Sequence, residues 1–126
     1  MKILSPLVCL VVISLTALPV IAAEVAEADK TFVVKAAQGG MTEVQLGHLA
    51  SEKGTSSDVK SFGAQMVADH GKANDELKSI ATAKGIVISD KLDAKHQAMV
   101  EKMTALSGAA FDKAYVDEME IGRAHV

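Results

Sequence analysis

The sequence predicts an all-α fold, an up-and-down four-helix bundle, and three observations support this. The chain is rich in alanine and has only 2 prolines, both near its amino terminus. Apolar residues recur every three or four positions, which is the period of a helix. Glycines and small polar residues divide the chain into four segments with short connections, so consecutive helices are expected to be antiparallel neighbours.

Capping residues set the expected bounds of the first two helices. The first is predicted over about 30–53, with Asp29 as N-cap and Gly54 just after its end. Residues 55–58, Thr-Ser-Ser-Asp, have the form of a capping box and are expected to open the second helix. That helix is predicted to end near residue 84, before Gly85.

The last two helices have weaker boundary signals. Ser89 or Asp90 is predicted to cap a third helix that ends near Ser107, and a fourth helix is predicted from about Ala109. Gly39 and Gly40 fall inside the first helix, where glycine costs about 1 kcal/mol against alanine. They mark either a kink or the close approach of a neighbouring helix.

Residues 1–23 are predicted to be a secretory signal peptide. One lysine precedes a largely apolar run, and small residues end at Ala23 before acidic sequence begins. The run is short for a bilayer span, so an uncleaved anchor is the less favoured alternative and no stable transmembrane span is expected after cleavage. We therefore expect a secreted, periplasmic or envelope-associated bacterial protein. Cleavage would remove Cys9, the only cysteine, and with it thiol chemistry.

Residues 120–126, EIGRAHV, are predicted to be a sequencing-adapter scar. The string matches the translation of a widely used adapter, so His125 carries no functional weight. The helical domain is then expected over 29–119, with its fourth helix cut short and the natural chain continuing past Met119. Apolar surface left uncovered by the missing turns is expected to promote self-association, as an alternative to binding an envelope partner. A formal net charge of −3 argues against nucleic acid as a partner.

Each predicted helix directs one ionisable side chain toward the common core. Helical periodicity places these groups in the apolar stripes, among residues such as Phe32 in the first helix and Ile80 in the second. An unpaired buried charge costs several kcal/mol, so each such group must be neutral, paired or bound to a cation. The four inward groups are Glu43, His70, His96 and Glu118.

The register of the first two helices suggests a metal site between them. Glu43 and His70 are expected about one helical turn, or roughly 6 Å, apart along the bundle, which long side chains can span. A transition metal ion, of copper or iron type, could be held by these two residues with Asp69 or Met66 assisting. His96 and Glu118 are weaker candidates because they fall at other levels of the bundle.

A structural interpretation of the same residues stays open. His70 could be a neutral core histidine hydrogen-bonded to Glu43, to Tyr115 or to a backbone carbonyl. The Tyr115 ring is expected to pack in the core while its hydroxyl reaches a polar group, with Glu118 among the candidates.

Several short motifs together resemble a known family. They are Ala36-Ala37-Gln38-Gly39-Gly40, Glu43 with Leu46-Gly47, Met66-Val67-x-Asp69-His70, and Ser107-Gly108-x-x-Phe111-Asp112-x-Ala114-Tyr115. The chain resembles an exported bacterial family, domain of unknown function 4142, whose members are often labelled predicted outer membrane proteins. The resemblance implies a ferritin-like four-helix domain and an envelope location, without an established activity. Members usually carry another histidine shortly after the position of Met119, where this chain has the adapter-like tail.

Three functional hypotheses follow. The favoured one is a non-catalytic envelope module that acts through its surface, in stress tolerance or in partner binding. The second is the metal site, although di-iron proteins of this fold use Glu-x-x-His and this chain has Met66 one turn before His70. The thioether and imidazole suit copper, but methionines at this spacing are more often core filler. The third is that the chain is an enzyme. The sequence shows no nucleophilic triad, phosphate loop or close carboxylate pair that would support this.

Overall fold

The computed structural model describes residues 24–124, which form four helices and, within that range, no strand. They are α1 (Glu27–Lys53), α2 (Ser57–Ala83), α3 (Ala94–Thr104) and α4 (Gly108–Ala124). The prediction of an all-α four-helix bundle is confirmed. The predicted signal peptide, with Cys9, and His125 lie outside the described residues. Helix α4 continues five residues past Met119, the predicted end of the domain.

The amino-terminal caps of α1 and α2 differ from the predicted ones. Helix α1 begins at Glu27, after Ala26, so Asp29 is not its cap but lies in the first turn, where a carboxylate interacts favourably with the helix dipole. Helix α2 is capped by Ser56 rather than by a box that begins at Thr55. The Ser56 hydroxyl accepts hydrogen bonds from the backbone N–H groups of Asp58 and Val59.

Helix α3 is shorter than predicted at both ends. Its N-cap is Asp93, not Ser89 or Asp90, and it ends at Thr104 rather than near residue 107. The later start follows from Gln38 of α1, whose amide donates to the Lys91 carbonyl at 3.0 Å and whose oxygen accepts from the Asp93 N–H at 2.8 Å. These bonds hold the chain in a non-helical course before Asp93.

Small residues bring α1 and α2 close together. A Cβ atom at Gly63 would lie 2.7 Å from both the Gly47 carbonyl oxygen and the Ala50 Cβ, so the two backbones nearly touch there. Of the glycine pair, Gly40 faces the Asn74 side chain of α2, whereas Gly39 has open space. Gly40 therefore accommodates the neighbouring helix, whereas Gly39 has no such contact.

One apolar cluster joins all four helices. Its fully buried members include Leu46 of α1 and two aromatic residues of α4, Phe111 and Tyr115. The predicted burial of Phe32 and Ile80 is wrong, because these side chains are 70% and 53% exposed. Phe32 lies in the first turns of α1 and Ile80 in the last turns of α2, at the end of the hairpin far from this cluster.

The start of α4 is fixed to the connection between α1 and α2. The Asp112 carboxylate accepts hydrogen bonds from the backbone N–H groups of Thr55 at 2.9 Å and Ser56 at 2.8 Å. Lys53 contributes a cation–π contact 5.7 Å from the centre of the Phe111 ring. None of the helices in residues 24–124 combines the length and apolar character that crossing a bilayer requires.

Candidate functional site

The candidate site is centred on a pair of side chains that links α1 to α2. The His70 Nδ1 atom lies 2.7 Å from the Glu43 Oε2 atom. Glu43 is positioned by the buried face of α1, three residues before Leu46, and His70 lies one helical turn after Met66, which packs against the core cluster. The structure thus brings together the two residues that the helical register placed about one turn apart.

The expectation that both side chains point into a dry interior is wrong. The His70 and Glu43 side chains are 34% and 30% exposed. They lie at the edge of the α1–α2 interface, because the small residues that bring these helices together leave little room for large polar groups at its centre. Solvent or a dissolved ion can therefore reach the pair.

The Tyr115 side chain lies fully buried in the core of the bundle. Its ring is stacked on Phe111, with ring centres 6.0 Å apart, and meets the Phe62 ring edge-on at 6.1 Å. Among the described side chains, its hydroxyl is the buried polar group with no hydrogen-bond partner. Burial, and secondarily the negative charge of Glu43, raises the pKa of Tyr115 to about 12. The predicted hydrogen bond from Tyr115 to Glu118 does not form.

The two assisting residues lie in different surroundings. Met66 is partly buried and packs against the core cluster, on the same face of α2 as His70. Asp69 is exposed, and its Oδ2 atom accepts a hydrogen bond of 2.7 Å from Gln65 on its own helix. Of the four residues in the principal metal-site prediction, Glu43 and His70 are therefore the two in direct contact.

The two weaker candidates lie elsewhere in the bundle. His96 contacts Asp93, with both its backbone N–H at 2.9 Å and its Nδ1 atom at 2.8 Å from the Asp93 Oδ1. These interactions, first the backbone bond and then the side-chain bond, hold the pKa of Asp93 below its usual value. Glu118 lines a pocket of about 210 Å³ between α3 and α4, beside Met99 and Lys102.

The paired arrangement limits what the site could hold. Across residues 24–124, no three His, Cys, Asp or Glu side chains form a group placed to bind a metal ion. Glu43 and His70 offer one carboxylate and one imidazole, a donor set that Zn, Cu and Fe accept. A cation held there would need a donor of another type, such as a hydroxyl, a thioether or water.

Comparison with known families places this bundle in one of them. The family model described as Domain of unknown function (DUF4142) matches residues 16–126. The chain belongs to the DUF4142 family. No curated protein matches this DUF4142 chain, and no solved structure does. The resemblance found from the Gln38–Gly40, Asp69–His70 and Phe111–Tyr115 motifs is therefore confirmed at the level of the family.

Two polar residues of this DUF4142 protein have interactions that the sequence did not predict. Gln38 is buried and joins α1 to the start of α3, and the signal for it was a glutamine inside an otherwise small-residue stretch. The Tyr115 hydroxyl was expected to form a hydrogen bond, and the effect of the Glu43 charge on its pKa was not predicted. The signal available was that Tyr115 is the only tyrosine of the chain and falls on an apolar face.

Proposed function

We propose that this DUF4142 protein is an exported, non-catalytic helical-bundle module of the bacterial cell envelope that acts through its surface. The apolar run and small residues of segment 1–23 support export. The resemblance to proteins labelled predicted outer membrane proteins supports an envelope location. The mildly acidic composition fits a protein partner better than a nucleic acid.

The observation that carries the non-catalytic part is that His70 and His96 are each paired with a carboxylate. His70 is paired with Glu43 and ties α1 to α2, while His96 is paired with Asp93 and closes the first turn of α3. Each pair gives its members a structural role. Pairing of this kind accounts for ionisable groups on the apolar faces without a reaction.

Export is tested by expressing the chain in a bacterium with and without residues 1–23 and fractionating the cells. We expect the full chain outside the cytoplasm, with a mature amino terminus after Ala23, and the shortened chain inside. A full chain that keeps Met1 and stays in the cytoplasm would contradict the proposal.

The non-catalytic role is tested by complementation of a gene deletion in the natural host under envelope stress. His70→Gln, once shown to fold by circular dichroism, is expected to restore survival as well as wild type does. His48→Gln is the matched control, since His48 is an exposed histidine on the same hairpin. A folded His70→Gln protein that fails while His48→Gln succeeds would show that the chemistry of His70 is required.

A second candidate function is metal binding between α1 and α2, and the Glu43–His70 contact favours it. Carboxylate and imidazole are ligand types that transition metals accept, and this contact brings one of each together between the two helices. Equilibrium dialysis of the purified chain with Zn(II), Cu(II) or ferric nitrilotriacetate, followed by elemental analysis, tests it. We expect one bound ion that is lost in His70→Ala and kept in His48→Ala. Equal binding by both variants would contradict the candidate.

A further inference from the structure

We propose that a cavity beside the α1–α2 hairpin binds a small zwitterion, an aliphatic α-amino acid. The cavity has a volume of about 170 Å³ and lies between α1, α2 and the connection from α2 to α3, residues 84–93. Its lining does not include Glu43 or His70, so this binding function is separate from the metal-binding candidate.

Apolar side chains form the inner wall of the cavity. Ala37 is 5% exposed, Met41 lies one turn after it on α1, and Ile88 contributes from the connection. Such a wall suits an aliphatic group, because burial of apolar surface is favourable. Drug-sized ligands occupy cavities of about 300–1,000 Å³, so this smaller cavity admits only a small molecule.

The connection that forms the outer wall is fixed by hydrogen bonds at both ends. Near its start, the Ile86 N–H donates to the Ala81 carbonyl at 2.8 Å. Near its end, the Gln38 side chain bonds to the Lys91 carbonyl and the Asp93 N–H. These bonds hold the connection against both helices, so the cavity is preformed and binding requires little ordering of the chain.

Asn74 of α2 is positioned in the cavity by the close approach of α1. A Cβ atom at Gly40 would overlap the Asn74 Oδ1 atom, so the Asn74 side chain occupies space that glycine leaves free. The Asn74 amide lines the cavity and supplies a hydrogen-bond donor and an acceptor. A few polar groups of this kind in an apolar cavity fix the orientation of a ligand.

Groups of opposite charge lie side by side at the mouth of the cavity. The Lys78 Nζ atom lies 2.6 Å from the Asp90 Oδ1 atom, and the two side chains are 62% and 80% exposed. Asp75 lines the same cavity. The hydrogen bond to Asp90, and then the charges of Asp90 and Asp75, raise the pKa of Lys78, so the lysine is a cation at this mouth.

This arrangement favours a zwitterion over a singly charged ligand. A carboxylic acid would pair with Lys78 but would be repelled by Asp75 and Asp90, whereas an alkylamine would be repelled by Lys78. An α-amino acid carries its ammonium and carboxylate groups on one carbon atom. It can therefore contact the lysine and a carboxylate at once while its aliphatic side chain enters the cavity.

The test titrates the purified chain with L-leucine and follows its backbone amide signals by NMR. We expect saturable shifts at residues 74–78 and 88–90, with a Kd of about 1 mM. Isoamylamine and 4-methylpentanoate are the matched probes, because each keeps the aliphatic group of leucine and only one of its charges. Each is expected to bind about tenfold more weakly than leucine.

Two lysine variants, both shown to fold by circular dichroism, locate the binding site. Lys78→Met is expected to weaken leucine binding about tenfold. Lys72→Met is the control and should bind as wild type does, because Lys72 is an exposed lysine of α2 that does not line the cavity. The proposal would be overturned if leucine gave no saturable shifts, if isoamylamine bound as tightly as leucine, or if both variants lost binding equally.

Discussion

Tyr115 is the residue at which packing and polarity conflict most clearly. Its ring completes an aromatic stack in the core, and this packing carries its hydroxyl away from water. Within the described residues no group forms a hydrogen bond with that hydroxyl, so apolar contacts alone set the position of the ring. The neighbouring aromatic rings of Phe62 and Phe111 fix the place of this polar atom in the core.

Alkaline titration of the metal-free protein tests the environment of Tyr115. Burial and the charge of Glu43 favour the neutral phenol, so absorbance should show ionisation near pH 12 in the folded chain and near pH 10 after unfolding. The unfolded chain then loses its proton first as pH rises. The free energy of unfolding should therefore fall between about pH 10 and pH 12.

Tyr115→Phe is the control for that titration, since it should lack this part of the pH dependence while remaining folded. The measurement is denaturant unfolding of both proteins at several alkaline pH values. Ionisation of the folded wild type near pH 10 would contradict the buried position of the hydroxyl.

Glycines in the α1–α2 hairpin are predicted to respond oppositely to alanine. Gly63→Ala would place a Cβ atom 2.7 Å from the Gly47 carbonyl oxygen, and separating the helices should cost about 1–3 kcal/mol. Gly71→Ala has no neighbouring atom within 4 Å, so its better helix propensity should stabilise the fold by about 1 kcal/mol. Urea unfolding measures both, and a stabilising Gly63→Ala would contradict the close approach.

Among the elements, α3 depends most on a contact made outside itself. It is a helix of 11 residues, which is short for independent stability. Asp93 satisfies its first turn, and Gln38 of α1 holds the chain just before that turn. The start of α3 therefore follows from the position of α1.

Gln38→Ala is predicted to destabilise the protein by about 2 kcal/mol. It removes two hydrogen bonds and leaves the Lys91 carbonyl and the Asp93 N–H without that partner. Gln97→Ala is the matched control, because the exposed Gln97 side chain donates its hydrogen bond to Glu101, one turn away on its own helix. Hydrogen exchange should show faster opening of the first turn of α3 in Gln38→Ala, and equal effects of both variants would argue against the link.

At the scale of the whole molecule, apolar side chains lie exposed at one end of the hairpin. Phe32 lies in the first turns of α1, and Ile80 lies in the last turns of the neighbouring helix α2. Exposed apolar side chains of this size favour association in solution. We therefore predict that Phe32 and Ile80 contribute to self-association in solution.

The double variant Phe32→Ser with Ile80→Ser is predicted to reduce concentration-dependent association. Sedimentation velocity of wild type and variant over a range of concentrations measures this, with Lys35→Ser as a control at an exposed polar position of α1. Association that is unchanged in the double variant would show that another surface is responsible.

The number of helices and much of their course were predictable from the amino-acid sequence. Helical periodicity and Gly85, which has the expected left-handed φ of 68°, are local properties that act wherever the segment lies. The level at which Glu43 and His70 meet also followed from counting residues on either side of a short turn. Such features depend on neighbours within a few residues or on one hairpin.

The cap of α3, the exposure of Phe32 and the unpartnered hydroxyl of Tyr115 depend instead on how the helices pack together. Gln38 and Asp93 are 55 positions apart, and no local pattern indicates that they meet. A periodic pattern tells which face of a helix is apolar but not whether another helix reaches far enough to cover it. Burial and hydrogen-bond partners are properties of the assembled bundle. The surroundings of Glu43, His70 and Tyr115 could therefore not be read from local sequence patterns.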